Sequence, residues 1–482
     1  MRRPIDFFYD ICSIPHASYH TEKLADYLVD FAISHSLKYR RDEAGNVVIF
    51  KPASKGREDE PALILQGHID MVAEKEADIS LDMEKEAISV FEDGDFLRAK
   101  GTTLGADDGA AVAIMLAVLD DDSVSAPALE CVFTADEEVG LLGADALDLT
   151  DLKGRRLLNL DSEQEGIFTA GCAGGMDVVC RLPVKRKLYN GIALKITVEG
   201  LLGGHSGEMI GRGRANAALL SGRLMRMIHN TVAPFHLAQI SSGGKDNAIP
   251  RSADIKLLFP LSCDKESILS AVKGFEETIR NEYALADPDI RIHAEFESYL
   301  YNENGMPAMT GKSTKRIISF LNTVPNGVVE YTQGFDALPQ TSLNLGILNT
   351  EETTVEAVSL VRSSIDSQKF YIAEKVGMIG RMHKAEVTFG SGYPAWPYRK
   401  DSGFRKMLCE IYKEVTGKEA GVTITHGGLE CGIFCGKLPD LDCVSAGPDM
   451  YDIHTPKEHL SLSSFDRTCT FIKRVLETRS FV

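Results

Sequence analysis

Early in the chain, several apolar runs stop at a carboxylate or an imidazole, and this pattern constrains the fold more than any other feature. Residues 62–65 are an apolar run that leads into Gln66-Gly67-His68-Ile69-Asp70. A glycine-rich turn, Gly101-Thr102-Thr103-Leu104-Gly105-Ala106-Asp107-Asp108-Gly109, opens the apolar run 110–119. Residues 128–134 stop at Asp136-Glu137-Glu138, and residues 156–160 stop at Asp161. The short runs have strand length and the longer one has helix length. Residues 21–34 add a helical pattern with Leu24, Tyr27, Leu28 and Phe31 on one face. Alternation of this kind predicts an α/β sheet with helices on both faces. In such a sheet the strand ends lie along one edge, where sites form.

Each acidic stop has a bland reading when taken alone. His68-x-Asp70 is a common accident, although residues two apart on a strand point the same way, so Asp70 can reach the His68 ring. Asp107 and Asp108 could be helix caps. Asp136-Glu137-Glu138 could be a solvated loop, since close carboxylates raise one another's pKa unless a cation intervenes. Taken together, and with His454 in the polar segment Asp452-Ile453-His454-Thr455-Pro456-Lys457-Glu458, they form a different kind of set. Carboxylates mixed with two imidazoles suit zinc, cobalt or manganese better than magnesium. Two histidines and three acids are enough for two cations that share one carboxylate.

Composition removes several other classes. The chain has 482 residues, 44% of them hydrophobic, enough for a sizeable core and for about three domains' worth of sequence. Its 52 basic and 70 acidic side chains leave a net charge of −18. That balance argues against nucleic-acid binding, which needs a basic patch. It also weighs against a two-metal nuclease or phosphatase. Ten cysteines show no CxxC pair and read as buried thiols of a reducing compartment. The run 110–119 is about half a membrane span, and the N-terminus, broken by Asp6 and Asp10, is no signal peptide. The expectation is a cytoplasmic protein with no membrane and no nucleic-acid partner.

The pattern changes near residues 181–189, which read as a polar, basic connector. Strand and helix patterns follow at 192–198, 216–229, 253–261, 266–283, 313–321, 342–348, 356–362 and 368–382, an order that a duplicated α+β unit could produce. After residue 391, helix 403–415, strands 422–425 and 442–445 and helix 463–477 resume the first pattern. The expected architecture is α/β. A catalytic domain at 1–184 and 391–482 is interrupted by an inserted α+β domain at 185–390.

The ordered set His68-x-Asp70, Asp107, Glu137-Glu138, Asp161, Gly204-His205-Ser206-Gly207 and His454 resembles the carnosinase-like dizinc metallopeptidases. Further blocks narrow the resemblance to the aminoacyl-histidine (Xaa-His) dipeptidases over nearly the whole chain. These are Ile11-Cys12-Ser13-Ile14-Pro15-His16, Asp161-Ser162-Glu163, Gly171-Cys172-Ala173-Gly174-Gly175, Asn247-Ala248-Ile249-Pro250-Arg251 and His426-Gly427-Gly428-Leu429-Glu430-Cys431-Gly432. Two positions depart from the family pattern: Asp108 replaces asparagine, and Gly427 replaces alanine.

The resemblance implies a zinc-peptidase-like catalytic domain with an inserted lid and dimerisation domain, and a homodimer. It implies two Zn2+ per chain, with Co2+ or Mn2+ also allowed by the ligand types. Asp107 would bridge them, His68 and Asp161 would complete one site, and Glu138 and His454 the other. Asp70 would orient His68, and Glu137 would be the general base. A cis peptide is implied at Asp107-Asp108. His205 would stabilise the oxyanion, while Asn247, Arg362, Gly427 and Gly428 would bind the substrate. The implied reaction is dipeptide hydrolysis, Xaa-His in particular. An aminoacylase, deacetylase or tripeptidase of the same architecture is the alternative, and a noncatalytic metal-binding protein is a more distant one that retention of Glu137 opposes.

Overall fold

The computed structural model describes residues 2–479. The chain forms two compact units. The first comprises the residues up to Cys172, Trp396–Ile424 and the residues from Leu429 onward. The second comprises Ala173–Ala395 and the short return Thr425–Gly428.

The first unit is built on a mixed eight-stranded sheet. Its spatial order is Lys38–Arg41, Val47–Lys51, Leu129–Thr134, Leu63–His68, Arg156–Asn159, Asp442–Ser445, Ile167–Cys172 and Gly421–Thr425. Leu63–His68 runs parallel to both of its neighbours, with His68 opposite Thr134 and Gln66 opposite Asn159. The C-terminal ends of these three strands therefore share one edge. Leu63–His68 and Leu129–Thr134 are buried along their whole length, as expected of parallel strands covered on both faces.

The helix Ala106–Asp120 is buried from Ala106 through Leu119. An all-apolar helix surface of this kind belongs inside a protein. The helix packs against Leu63–His68 and against the N-terminal helix Pro4–Cys12. Its first turn is irregular: Asp107 and Asp108 have non-helical torsions, and the peptide joining them is cis. A small four-stranded sheet, ordered Met450–Tyr451, His459–Ser461, Phe96–Ala99 and Val90–Asp93, frames the loop that carries His454.

The second unit has a nine-stranded sheet, antiparallel at every pairing described. Four helices cover it: Ala217–Thr231, Lys265–Glu282, Gly311–Thr323 and Asp366–Met382. Their apolar faces join a core with Ile192, Leu194, Ile196, Leu257, Leu343 and Val361. Arg362 pairs with Ser342 in register. Because successive side chains alternate, these two lie on the face away from that core. The segment 181–189 is not a connector. Strands Gly174–Pro183 and Arg186–Glu199 occupy it, with Val178, Cys180 and Leu182 turned inward and the polar residues between them outward. A one-sided strand can be polar at every second position, so polar composition alone misleads there.

All ten cysteines are free thiols. No helix among the described residues is long and apolar enough to cross a membrane.

Arg57, with 2% of its surface exposed, ties down the end of the C-terminal helix Leu462–Glu477. Its guanidinium donates to the carbonyls of Leu476, Thr478 (3.0 Å) and Ser125 (2.6 Å) and to the Glu60 carboxylate (2.5 and 2.8 Å). Removing one partner of a buried charged network leaves the other uncompensated. Arg57→Met should therefore destabilise the protein by about 3 kcal/mol, measured from urea unfolding; an unchanged midpoint would show that the network contributes nothing net.

Candidate active site

The shared sheet edge of the first unit gathers His68, Asp70, Asp107, Glu137, Glu138, Asp161 and His454. Asp107 is central. Its Oδ1 lies 3.2 Å from His68 Nε2, and its Oδ2 lies 3.1 Å from His454 Nε2. His454 Nε2 is also 2.7 Å from Glu138 Oε1, and His68 Nε2 is 3.8 Å from Asp161 Oδ1. Three groups have ligand atoms within 4.8 Å of one another: His68–Asp107–Asp161, Asp107–Glu138–His454 and His68–Glu137–Glu138. The first two share Asp107 through its two different oxygens.

The residues around these groups hold the loops. His68 Nδ1 is 2.9 Å from the Asp70 carbonyl and 3.4 Å from its carboxylate. The Asp70 carboxylate also holds the neighbouring loop. It accepts from the amides of Glu137 (2.9 Å) and Glu138 (3.3 Å) and from the Ser18 hydroxyl (2.8 Å). Beneath the edge runs a buried polar chain. Glu430 Oε2 accepts from Gln66 (2.5 Å) and Thr134 (2.6 Å), Gln66 accepts from Asn159 (2.7 Å), and Asn159 accepts from the Asp161 amide (3.4 Å). Asp136 and His454 adopt left-handed backbone, with φ of 54° and 59°, a cost that non-glycine residues usually meet at functional sites.

The electrostatics are those of an acid cluster in need of positive charge. Burial pushes Glu137 well above the usual carboxylate range, with Glu138, Glu430 and Asp107 adding to the shift. Burial and the neighbouring Asp108 do the same to Asp161. Asp107 is held below its ordinary value despite burial, because His454 and His68 both hydrogen-bond to it. Burial opposes charge on His454, yet Asp107 and Glu138 raise it to about 11. Burial raises Glu430 to about 7. Asp108 Oδ1 and Glu430 Oε1 are buried without a partner among the described residues. Packed carboxylates are tolerated when paired or when they coordinate cations. The donor set of carboxylates and imidazoles, with one acid offering an oxygen to each side, fits a pair of divalent cations.

The second unit carries its own polar cluster, centred on Arg362, which is 4% exposed. Its guanidinium donates to Tyr393 Oη (2.6 Å), His205 Nε2 (3.2 Å) and Ser206 Oγ (3.4 Å). His205 pairs in register with Ala248, and the Ser206 amide donates to the Asn247 carbonyl (2.8 Å). Asn247 itself is exposed. Gly427 donates its amide to Thr425 Oγ1 (3.0 Å). A Cβ at Gly428 would lie 2.7 Å from the Tyr393 ring, so only glycine fits without displacing that ring. His426, adjacent in sequence, is bonded to Ser342 Oγ (2.7 Å).

Sequence reasoning assigns no role to Ser18, Glu430, Glu458, Tyr393 or Ser342. Glu430 and Glu458 stand inside recognisable motifs, but nothing local marks them as buried. Ser18, Tyr393 and Ser342 carry no signal that the sequence alone displays.

The fold and this edge of histidines and acids define a family. The model of Peptidase family M20/M25/M40 matches residues 64–478. The chain belongs to that family and is a peptide hydrolase, and its mixed α/β architecture is the family's fold. It is 36% identical over 475 residues to the cytosol non-specific dipeptidase of Escherichia coli (strain K12), across 98% of this chain and 96% of that protein. The crystal structure of aminoacylhistidine dipeptidase from Vibrio alginolyticus superposes with a TM-score of 0.86 at 34% identity, covering 99% of this chain and 97% of that one. A tripeptidase from Staphylococcus aureus shares the fold, with a TM-score of 0.57 at 15% identity over 98% of this chain and 97% of that one.

Burial, with Arg362 and His205 nearby, depresses His426 from 6.5 to about 3. A base whose folded value lies below its unfolded one retains full native stability above the unfolded value. It loses that stability as pH falls, because the unfolded chain takes up the proton first. His426→Asn should therefore remove about 1.4 kcal/mol per pH unit of the acid-induced stability loss between pH 6.5 and about 3. Urea midpoints at successive pH values read this directly, and parallel slopes for the two proteins would refute it.

Proposed function

We propose that this M20 peptidase is a cytoplasmic dizinc dipeptidase that cleaves Xaa-His dipeptides and tolerates others. The observation that carries this reading is Asp107, whose two oxygens face two histidines, each with a further carboxylate alongside. The names of the two full-length relatives support the dipeptide class. Zinc is the proposed cation, with cobalt or manganese compatible with the same donors.

In this reading Asp107 would be shared between the two cations, His68 and Asp161 would hold one, and Glu138 and His454 would hold the other. When bound, the cations supply an acidified water and polarise the scissile carbonyl. Glu137 takes a proton from the attacking water as its oxygen bonds to the carbonyl carbon. Glu137 then delivers that proton to the leaving amine as the C–N bond breaks, which requires a carboxylate free of metal. Burial of Glu137 suits a base that must hold the proton between the two steps. Asp70 orients His68 and anchors the amides of Glu137 and Glu138. From the second unit, His205 serves the oxyanion. Arg362 grips the substrate carboxylate through its planar fork, with Asn247, Gly427 and Gly428 completing that subsite. The roles of the second unit as lid and dimerisation domain of a homodimer rest on the family resemblance.

The test is hydrolysis of β-Ala-His, Gly-His, Gly-Leu, Gly-Gly-His and N-acetyl-His by zinc-reconstituted enzyme beside a chelated control. Cleavage confined to the free-amine dipeptides and abolished by chelator is expected, with Xaa-His the best substrates. Cleavage of N-acetyl-His instead would move the protein to the aminoacylases or deacetylases, and cleavage of Gly-Gly-His alone to the tripeptidases. Glu137→Ala should keep both cations by elemental analysis and lose turnover by at least ~100-fold; retained turnover would remove Glu137 from the base role.

A further inference from the structure

Among the buried carboxylates that the mechanism does not use, Glu458 stands next to a proposed ligand loop. Glu458 is 2% exposed and lies four residues beyond His454. Its Oε2 accepts from the amides of Leu104 (2.7 Å) and Gly105 (3.1 Å). Its Oε1 accepts from those of Ala106 (2.8 Å) and Asp107 (3.4 Å). Four consecutive amides thus converge on one side chain that is remote in sequence. Gly105, with φ of 70°, makes the turn that aims them inward.

These amides open the helix Ala106–Asp120, and Gly105, the residue before it, has no side chain with which to cap it. The first amides of a helix carry partial positive charge and need acceptors. Glu458 supplies that acceptor from another part of the chain. Its own loop is short: the Glu458 amide donates to the Thr455 carbonyl (3.0 Å), one residue from His454. A single side chain therefore ties the loop carrying Asp107 to the loop carrying His454.

We infer that Glu458 is a positioning residue, a cross-brace that sets the Asp107 carboxylate against the His454 imidazole for cation binding. This inference rests on the proposed reading of Asp107 and His454 as ligands. The carboxylate accepts from backbone amides, and it acts through the Asp107 backbone. Groups that orient ligands in this way typically change metal affinity 10–100-fold when altered. Glu458→Gln replaces one acceptor oxygen with a donor that faces the amides.

A matched control is present in the same unit. Glu130 is 4% exposed and accepts from the amides of Lys153 (2.8 Å) and Gly154 (3.0 Å), in a region that carries no proposed ligand. If Glu458 were merely structural, Glu458→Gln and Glu130→Gln would both lower the melting temperature and leave the metal sites alike. The experiment uses the full-length, metal-stripped protein titrated with Zn2+ by calorimetry and with Co2+ by visible absorption.

Wild type should bind two cations per chain. Glu458→Gln should bind at least one of them 10–100-fold more weakly, with an altered Co2+ spectrum. Glu130→Gln should match wild type in both. Glu458→Asp keeps the charge but shortens the reach, and it should fall between wild type and Glu458→Gln; it decides the question if Glu458→Gln does not fold. Wild-type affinity and spectrum in the folded variant would overturn the inference while the metal reading stands. Failure of the wild type itself to bind cations would overturn the metal reading and this inference with it.

Discussion

Everything at the sheet edge depends on one buried carboxylate, Asp107, presented to two imidazoles at once. One oxygen faces His68 and the other faces His454. Charge buried in this way is costly unless it is paired and hydrogen-bonded. Further carboxylates crowd around it, and burial pushes Glu137 and Asp161 toward their neutral forms. An arrangement this unfavourable for bare side chains is well suited to divalent cations, which is why the proposed chemistry is that of a two-metal hydrolase.

The scaffold meets that demand with rigid elements. Three parallel strands end at the same edge, so His68, the Asp136–Glu138 loop and Asp161 arrive together. A helix buried from Ala106 through Leu119 carries Asp107 in its first turn. Polar groups under the edge continue the order inward through Glu430, Gln66 and Asn159. These bonds tie together the strand ends that carry the acids. The second unit follows a different logic. Its sheet devotes one face to the main apolar core, and simple alternation along the strands places the polar side chains of Arg362 and Ser342 on the other.

The strand–helix alternation, the acidic stops and the histidines are legible in the amino acids themselves, because periodicity and abrupt changes of polarity are local properties. The chain alone thus brings the acidic stops and two histidines into one candidate set, and the choice of His68, Asp107, Glu138, Asp161 and His454 within it is what the family resemblance implies. The segment 181–189 misleads because an antiparallel strand with one wet face has the composition of a loop.

Other facts depend on residues far apart in the chain. Nothing near Glu458 shows that it closes onto amides some 350 positions away, and nothing near Glu430 shows that it lies beneath Gln66 and Thr134. The same holds for the Asp70 carboxylate, which lies 3.4 Å from the His68 ring and also accepts from the amides of Glu137 and Glu138, partners that nothing near it in sequence shows. By itself the sequence determined which chemical groups are present and which elements carry them, since propensity and hydrophobic period act over a few residues. Only the tertiary structure decided which oxygen faces which nitrogen, because hydrogen bonds are satisfied by whatever packing brings within about 3 Å.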